Sequence, residues 1–525
     1  MILRDYQSEI SQKALRAKAN ILVQLDTGAG KTPVIAKIAS EKKAVLVAHR
    51  TILIKQISKT LAQFDIKHNI LAPKYTRRLC ELEHRKLSKS GMITVDGDVS
   101  VVSIDTLASE IRRGIFSVEL SPEIILIDEA HHVVKDNKWG KLAALFPNAQ
   151  LIGFTATPVR LDGGGLLVKD GGVFDILIQA DELTENSVSK LIEKGFLSEF
   201  KAYSLPEHIN IKNIKKVQNG DYVYKELQKE THRVLYQMCG DAVKHYKRLA
   251  SGKRALVVCV DIEAAKETAI IFKKAGYTAA AIHSKMSSAE TSRVFELFDA
   301  GLIQLLCSVD MIGEGVDVPA IEVLIMMRKT ASFGLYRQWC GRALRPSPSK
   351  KLAVILDHAG NVLEHGLPDK HVDWAKGVDA AGKKSNLIAC KECRFVYPFS
   401  KRACPNCGHE LEINSTGTLP PSDIRYIDQD LIHVITKQIR KELKEKTTLL
   451  SDQDSYYAGL DGAVLNCVKK IVKFVAGSLI EHGVSIQSVN KFLRKTDVVF
   501  WFERFSINDV GNHKKARDVY VDYTD

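Results

Sequence analysis

A seven-residue stretch, Asp26-Thr27-Gly28-Ala29-Gly30-Lys31-Thr32, constrains this chain more than any other. The apolar run Ile21-Leu22-Val23-Gln24-Leu25 precedes it, and a helical pattern follows to about Lys42. Strand, glycine loop and helix form the setting of a phosphate-binding loop. Gly28 and Gly30 let the backbone curl so that successive N–H groups point inward. The helix N-terminus adds partial positive charge. Lys31 can reach terminal phosphates, and Thr32 can hold Mg²⁺. Pro33 suits a first helical turn, where no N–H donor is needed. The full Walker pattern has another glycine five residues before Gly30, where this chain has Leu25. Taken by itself, the stretch also suits an ordinary glycine turn before a helix.

A second feature separates these readings. Ile124-Ile125-Leu126-Ile127 is fully apolar, as a buried parallel strand would be. It runs into Asp128-Glu129-Ala130-His131. Adjacent carboxylates at the end of a buried strand are costly without a cation. That edge is also where ligands sit in open α/β sheets. Asp128 is suited to hold Mg²⁺ and Glu129 to orient or deprotonate an attacking water. With the glycine-lysine loop upstream, a merely solvated carboxylate pair explains less.

The 525 residues exceed what one core accommodates, so two to four domains are expected. Hydrophobic content of 45% and charged content of 26% place the chain among globular proteins. The net charge of +13 suggests a polyanionic partner. No apolar run is long enough to span a bilayer, so no membrane association is expected. Working sequence begins almost at Met1, leaving no room for a signal peptide. Of ten cysteines, Cys80, Cys239, Cys259, Cys307, Cys340 and Cys467 are scattered, four of them in apolar or helical surroundings. This usage fits a reducing, cytoplasmic compartment.

Leu3-Arg4-Asp5-Tyr6-Gln7 opens a helix running toward Ala19. A Gln can read an adenine edge, and an Arg or aromatic can stack on the ring. An amphipathic helix explains the segment equally well. Further strands are expected at Ala44–Ala48, ending in His49-Arg50-Thr51, at Val99–Ser103, ending in Ile104-Asp105-Thr106, and at Leu151–Phe154, ending in Thr155-Ala156-Thr157-Pro158. Glycines from Gly163 to Gly172 predict a mobile loop after the last strand of this unit. A mixed, partly polar segment from Glu182 to about Tyr224 leads into a second alternating unit. Its strands are expected at Ala255–Val260, Thr278–Ile282, Gln304–Ser308, Glu322–Met326 and Leu352–Leu356. Helices are expected at Ile262–Ala275 and Ser287–Ala300. Strands alternating with helices predict an α/β architecture with two doubly wound parallel sheets.

The second unit carries Gly313-Glu314-Gly315-Val316-Asp317-Val318-Pro319 and Gln338-Trp339-Cys340-Gly341-Arg342-Ala343-Leu344-Arg345-Pro346. Arg342 and Arg345, three apart, would share a helix face. Their planar forks suit a transferring phosphoryl group. A basic, solvated helix end is the simpler alternative.

The ordered set LRDYQ, TGAGKT, AHRTILIKQ, DEAH, FTATP, GEGVDVP and QWCGRALR, over roughly residues 1–360, resembles the motifs of superfamily 2 DEAD/DEAH-box helicases and translocases. DEAHH, TATPVRLDGGG, LYRQWCGRALRP and LDHAGN look most like bacterial RadD-type repair helicases and their phage relatives. The resemblance implies two tandem RecA-like domains, 1–181 for ATP binding and 182–368. It implies that Arg4, Tyr6 and Gln7 recognise adenine. Thr27, Gly28, Ala29, Gly30, Lys31 and Thr32 would cradle phosphate, and the absent first glycine is usual in this superfamily. Asp128 and Glu129 would be the Mg²⁺ and water-activating pair. His131, Thr155 and Thr157 would couple nucleotide state to a nucleic-acid groove, and His49, Arg50 and Ser103–Thr106 would contact one strand's backbone. Gly315 and Asp317 would touch both ATP and nucleic acid. Gln338, Arg342 and Arg345 would form the arginine-finger helix. Ser308 stands where the family usually has Thr, and Glu314 where many relatives have Arg.

The remaining cysteines, Cys390-x-x-Cys393 and Cys404-x-x-Cys407, have paired spacing suited to tetrahedral Zn²⁺ in a small ribbon, 388–412. A disulfide pair is the alternative, disfavoured in a reducing compartment. Between the knuckles lie Phe395, Tyr397 and Phe399 with Lys391, Arg394, Lys401 and Arg402. Such groups can grip single strands or a fork, or the aromatics can simply be the ribbon's core, the preferred reading for Phe395. Residues 424–525 are expected to be mainly helical, with patterns at Asp430–Lys446 and Ala463–His482 and an aromatic run at Val498–Phe502. The resulting expectation is an ATP-dependent helicase or translocase on single-stranded or forked DNA, working in bacterial or phage nucleoid repair, recombination or replication. An RNA helicase, or an ATPase that remodels nucleic acid without unwinding, remains as the alternative.

Overall fold

The computed structural model describes residues 2–411 except Asp96, 114–120, 161–163, 205–208, Asn210, 212–213, 217–219, 310–320, 348–349, Lys351 and 375–385. Within them, the apolar runs become buried strands that alternate with helices. The first sheet contains β1 (Ile21–Gln24), β2 (Ala44–Ala48), β3 (His68–Leu71), β4 (Val99–Ser103), β5 (Ile124–Asp128), β6 (Gln150–Thr155) and β7 (Ile176–Ile178). Their spatial order is β3-β4-β2-β5-β6-β1-β7, and every pair is parallel. The second sheet contains β8 (Phe200–Ser204), β9 (Ala255–Val258), β10 (Ala279–Ile282), β11 (Leu305–Ser308), β12 (Val323–Met326) and β13 (Ala353–Asp357). Its order is β10-β11-β9-β12-β13-β8, again wholly parallel.

Side-chain alternation explains why both faces of each sheet are covered. Ile21 and Val23 join the core formed with Ile10, Val34 and Ile57, while Leu22 faces the opposite layer with Ile125, Trp139 and Leu142. In the second sheet, Val257 and Ile325 face one layer, while Leu256 and Leu324 face the other. A strand buried on both sides has no polar face, which is why these segments read as unbroken apolar runs. The two sheets are the doubly wound, RecA-like α/β units expected.

Three features depart from expectation. The glycine-rich segment is not followed by the end of the first unit: β7 comes after it and pairs with β1. Gly172 donates to the Leu167 carbonyl at 2.8 Å, and a Cβ there would stand 1.9 Å from the Leu166 oxygen. These residues build a tight turn that returns the chain to the sheet. Next, β3 and β8 extend the two sheets beyond the strands read from apolar runs. Finally, Tyr224–Ala250 forms a 27-residue helix. It buries Leu227, Thr231, Leu235, Met238, Ala242 and Tyr246 along one stripe.

The cysteine segment forms an antiparallel pair, β14 (Leu387–Ala389) with β15 (Val396–Pro398). It does not stand apart. Phe395 bridges antiparallel to Tyr203 on the outer strand β8, and Ser204 N–H donates to the Arg394 carbonyl at 3.0 Å. The Tyr203 and Phe395 rings meet edge-on at 5.7 Å. Phe395 therefore packs both in the ribbon and against the second sheet, while Tyr397 fills the ribbon's own core. The helical patterns expected after Leu411, with Cys467 and the run Val498–Phe502, lie outside the described residues. No helix among the described residues is long and apolar enough to cross a membrane.

Candidate nucleotide-hydrolysis site

Register brings the chemistry to one edge. Gln24 pairs with Thr155, and Asp128 pairs with Phe154. The glycine loop after β1, the threonines after β6 and the carboxylates after β5 thus share the C-terminal edge of adjacent strands, where ligands bind in such sheets. In the loop, Gly28 and Gly30 have φ of +92° and +84°, which a side chain would strain. The helix Lys31–Ala39 starts directly after Gly30, with Pro33 in its first turn.

Lys31 Nζ lies 3.2 Å from Glu129 Oε1, with both side chains about nine-tenths buried. Asp128 is buried beside them and accepts from the Glu129 N–H at 3.0 Å. Burial, reinforced by the Glu129 carboxylate, pushes the Asp128 carboxyl up to about 6. Two crowded carboxylates supply oxygen donors of the kind a hard divalent cation takes, with Lys31 offsetting part of their charge. Glu129 itself sits at φ +57°, ψ 53°, a left-handed conformation costly for a side chain and common at functional sites. His131 Nδ1 lies 3.3 Å from Thr155 Oγ1 and 3.5 Å from Glu129 Oε2. Thr155 Oγ1 donates to the Thr157 carbonyl and accepts from its N–H. Thr157 Oγ1 and Ser308 Oγ are buried without a hydrogen-bond partner among the described residues.

The N-terminal motif closes over the loop. Tyr6 Oη and Gln7 Nε2 both donate to the Ala29 carbonyl, at 2.7 and 3.0 Å. Arg4 donates to Tyr6 Oη, and its guanidinium stacks 4.0 Å from the Phe196 ring centroid. The sequence did not flag Phe196 or Leu197, whose Cδ2 would stand 2.8 Å from a Cβ on Gly28.

The second sheet contributes the helix Phe333–Ala343. Gln338 and Arg342 are buried on it. Arg345 lies two residues past its end, so the two arginines do not share a helix face as expected. The contact with the loop is made by a different stripe. Arg337 Nη2 donates to Asp26 Oδ1 at 2.7 Å, and a Cβ on Gly341 would stand 2.3 Å from Thr27 Cβ. Arg345 Cγ lies 3.6 Å from the corresponding position on Gly28. Neither Asp26 nor Arg337 was flagged by its type, because a salt-bridge partner is chosen by the fold. Gly315 and Asp317 lie outside the described residues.

Residues 1–160 match the family described as type III restriction enzyme, res subunit, and residues 209–347 match the helicase conserved C-terminal domain. These matches fall on the first and second sheets, in the order the site requires. The chain is a superfamily 2 helicase. Its relatives include a 51.5 kDa protein of a Lactococcus phage, 29% identical over 75% of this chain and 78% of that protein. The putative ATP-dependent helicase IRC3 of Saccharomyces cerevisiae is 26% identical over 68% of this chain. The match spans only 52% of the yeast protein. XPB2 of Sulfurisphaera tokodaii, named as a DNA 3'-5' translocase, is 25% identical over 67% of this chain and 80% of that protein. The helicase is an ATP hydrolase dependent on nucleic acid.

Beside this edge, the helicase clusters imidazoles. His132 lies 4.5 Å from His131 and 4.8 Å from His49 at the end of β2, ring centroid to centroid. Buried Trp139 packs against His132 and His49. Asn137 shapes this turn, accepting from the Trp139 N–H and donating to the His132 carbonyl. Arg50 starts the helix Thr51–Gln63, and Thr106 lies in the first turn of Ile104–Arg113. His49, Arg50 and Thr106 thus line the same C-terminal edge, at β2 and β4.

The four clustered thiols also converge. Cys390 and Cys407 Sγ are 3.6 Å apart, as are Cys393 and Cys404 Sγ, and all four lie within 4.8 Å of one another. A tetrahedron of thiolates about 2.3 Å from zinc has edges of about 3.8 Å. The donor set and its spacing therefore fit a tetrahedral metal. The other described cysteines are buried free thiols spread through the two cores.

Proposed function

We propose that this helicase couples ATP hydrolysis to stepwise movement along DNA, in repair, recombination or replication. The observation that carries the reading is the seating of the Phe333–Ala343 helix on the phosphate loop of the other sheet. A site assembled from two units is complete only when they close, so binding and loss of the terminal phosphate can drive closing and opening. In this reading residues 1–181 and 182–368 are the two motor halves.

Lys31 and the loop N–H groups bind the phosphates, and Tyr6, Gln7 and Arg4 flank the base. Glu129 orients the attacking water. Arg342, Arg345 and Gln338 stabilise charge developing on the transferred phosphoryl group. Asp128 and Thr32 would hold Mg²⁺, which supplies charge neutralisation on the phosphates. By the resemblance, Gly315 and Asp317, outside the described residues, would contact ATP and nucleic acid together. His49, Arg50, Thr106, His131, Thr155 and Thr157 connect the site to a strand gripped through its phosphates. Zn²⁺ on Cys390, Cys393, Cys404 and Cys407 fixes the ribbon. DNA is favoured as the substrate because a relative matched across both sheets carries the name of a DNA translocase.

The test is the ATPase rate without nucleic acid and with single-stranded, duplex and forked DNA and RNA, with Lys31→Ala as blank. Stimulation by single-stranded or forked DNA, abolished in the variant, is the expected result. Stimulation mainly by RNA assigns the protein to RNA. Stimulation without strand displacement in a follow-up assay leaves a remodelling translocase. A Lys31→Ala protein as active as the parent overturns the site.

A further inference from the structure

The helix Phe333–Ala343 meets the phosphate loop in a one-to-one register. Arg337 and Gly341, four apart on one side of the helix, and Arg345, two residues past its end, lie against Asp26, Thr27 and Gly28 in turn. The middle contact is steric: Gly341 has room for no side chain against Thr27. The first contact is ionic. The Arg337 and Asp26 side chains are only 7% and 5% exposed. Arg337 also donates to the Pro368 carbonyl, and Ser187 donates to the other Asp26 oxygen. Asp26 thus ties the loop to two elements beyond the first sheet, the Ser187–Glu193 helix and the arginine helix.

We infer that Arg337 is a positioning residue that sets the register of the arginine helix on the phosphate loop through Asp26. A helix free to slide along a loop would carry Arg342 and Arg345 with it. A shift of about one ångström at a reacting phosphate is enough to lower the rate on the order of a hundredfold. A glycine contact limits approach but not sliding. A buried guanidinium–carboxylate pair restrains sliding, because displacement leaves two buried charges unpaired. Asp26 therefore acts on hydrolysis without touching phosphate, and Arg337 acts on Arg342 and Arg345 without being the charge that meets the transition state. The inference rests on the ATP-hydrolysis reading above.

The experiment uses the full chain with saturating nucleic acid and compares the parent, Arg337→Gln, Asp26→Asn and the double variant. The expected result for Arg337→Gln is a kcat reduced at least tenfold. Its dissociation constant for a fluorescent ATP analogue stays within threefold of the parent, since the loop that binds phosphate belongs to the other sheet. That binding also reports a folded first unit. The double variant is expected to be no slower than the slower single variant, because both substitutions break one pair. A kcat for Arg337→Gln within twofold of the parent overturns the inference, as do single-variant losses that multiply in the double variant. If the parent itself shows no hydrolysis sensitive to Lys31→Ala, the underlying reading fails instead.

Discussion

Lys31 and Glu129 form a nearly buried ion pair at 3.2 Å. In the proposed reading, an incoming phosphate would compete with Glu129 for the lysine, and the carboxylate released would be the group needed at water. Glu129→Gln should therefore lower kcat on the order of a hundredfold or more. It should leave ATP binding as tight as in the parent or tighter, since a negative charge facing the phosphates is removed. Single-turnover hydrolysis and analogue binding, measured together, check this; weakened binding would mean that Glu129 positions Lys31 instead. Asp128 gives a second prediction. Its folded carboxyl is held at about 6 against 3.8 ordinarily, so between those values the folded state binds the extra proton. Holding the charge at neutral pH costs stability, and that cost falls as pH drops below about 6 and is gone only below the ordinary value of 3.8. Asp128→Asn should raise the unfolding midpoint by a few degrees at pH 7.5 without Mg²⁺, the gain shrinking toward pH 5. A gain that does not depend on pH would place its cause elsewhere. Lys31, Asp128 and Glu129 were legible in the sequence because phosphate chemistry admits few residue types at such spacing. The left-handed backbone of Glu129 and the Asp26–Arg337 pair were not, since both are imposed by tertiary contacts.

At the level of elements, legibility followed burial. Strands covered on both faces, such as β2, β5 and β12, carry unbroken apolar runs and were read almost to the residue. The outer strands β3 and β8 are mixed, as His68-Asn69-Ile70-Leu71 and Phe200-Lys201-Ala202-Tyr203-Ser204 show, and β7 is only three residues, Ile176–Ile178. Their pairing is decided by neighbours, which sequence alone does not supply. The helix Tyr224–Ala250 was overlooked because its buried stripe is diluted by charged residues on the exposed sides. The ribbon shows a further limit: CxxC spacing announces a metal, but the docking of Phe395 on Tyr203 depends on β8 having an unpaired side. Lys201 Nζ donates to Asn406 Oδ1 at 3.1 Å, a second tie between ribbon and strand. The purified protein should contain about one equivalent of zinc by elemental analysis. Cys404→Ser should abolish it and lower the unfolding midpoint. Nucleotide-analogue affinity should survive, because Lys31 and its loop lie on the other sheet. Loss of zinc with no change in the unfolding midpoint would show the ribbon to be a passenger on β8 and not part of the second unit's stability.

For the whole molecule, the net charge of +13 and the two polar sheet edges argue for a long anionic partner held mainly through its backbone. The duplicated α/β rhythm was legible. The contacts that join the two sheets were not, because they depend on which side of the 333–343 helix meets the loop. A motor that steps needs more than a charged surface: its grip must change with the nucleotide. The chain of imidazole contacts from His131 through His132 to His49 connects the proposed hydrolytic edge to the end of β2, so the number of phosphates held should differ between nucleotide states. Counterion release makes this countable, since each phosphate contact on a single strand contributes about 0.7 to the slope of log affinity against log salt. Binding of a labelled single strand, titrated with salt, should give slopes differing by about 0.7 or more between a non-hydrolysable ATP analogue and ADP. His132→Asn should narrow that difference while leaving analogue affinity intact, because His132 meets His49 and Trp139 rather than the phosphate loop. Equal slopes and equal affinities in both states would describe a protein that hydrolyses ATP while holding its strand unchanged, and that protein could not translocate.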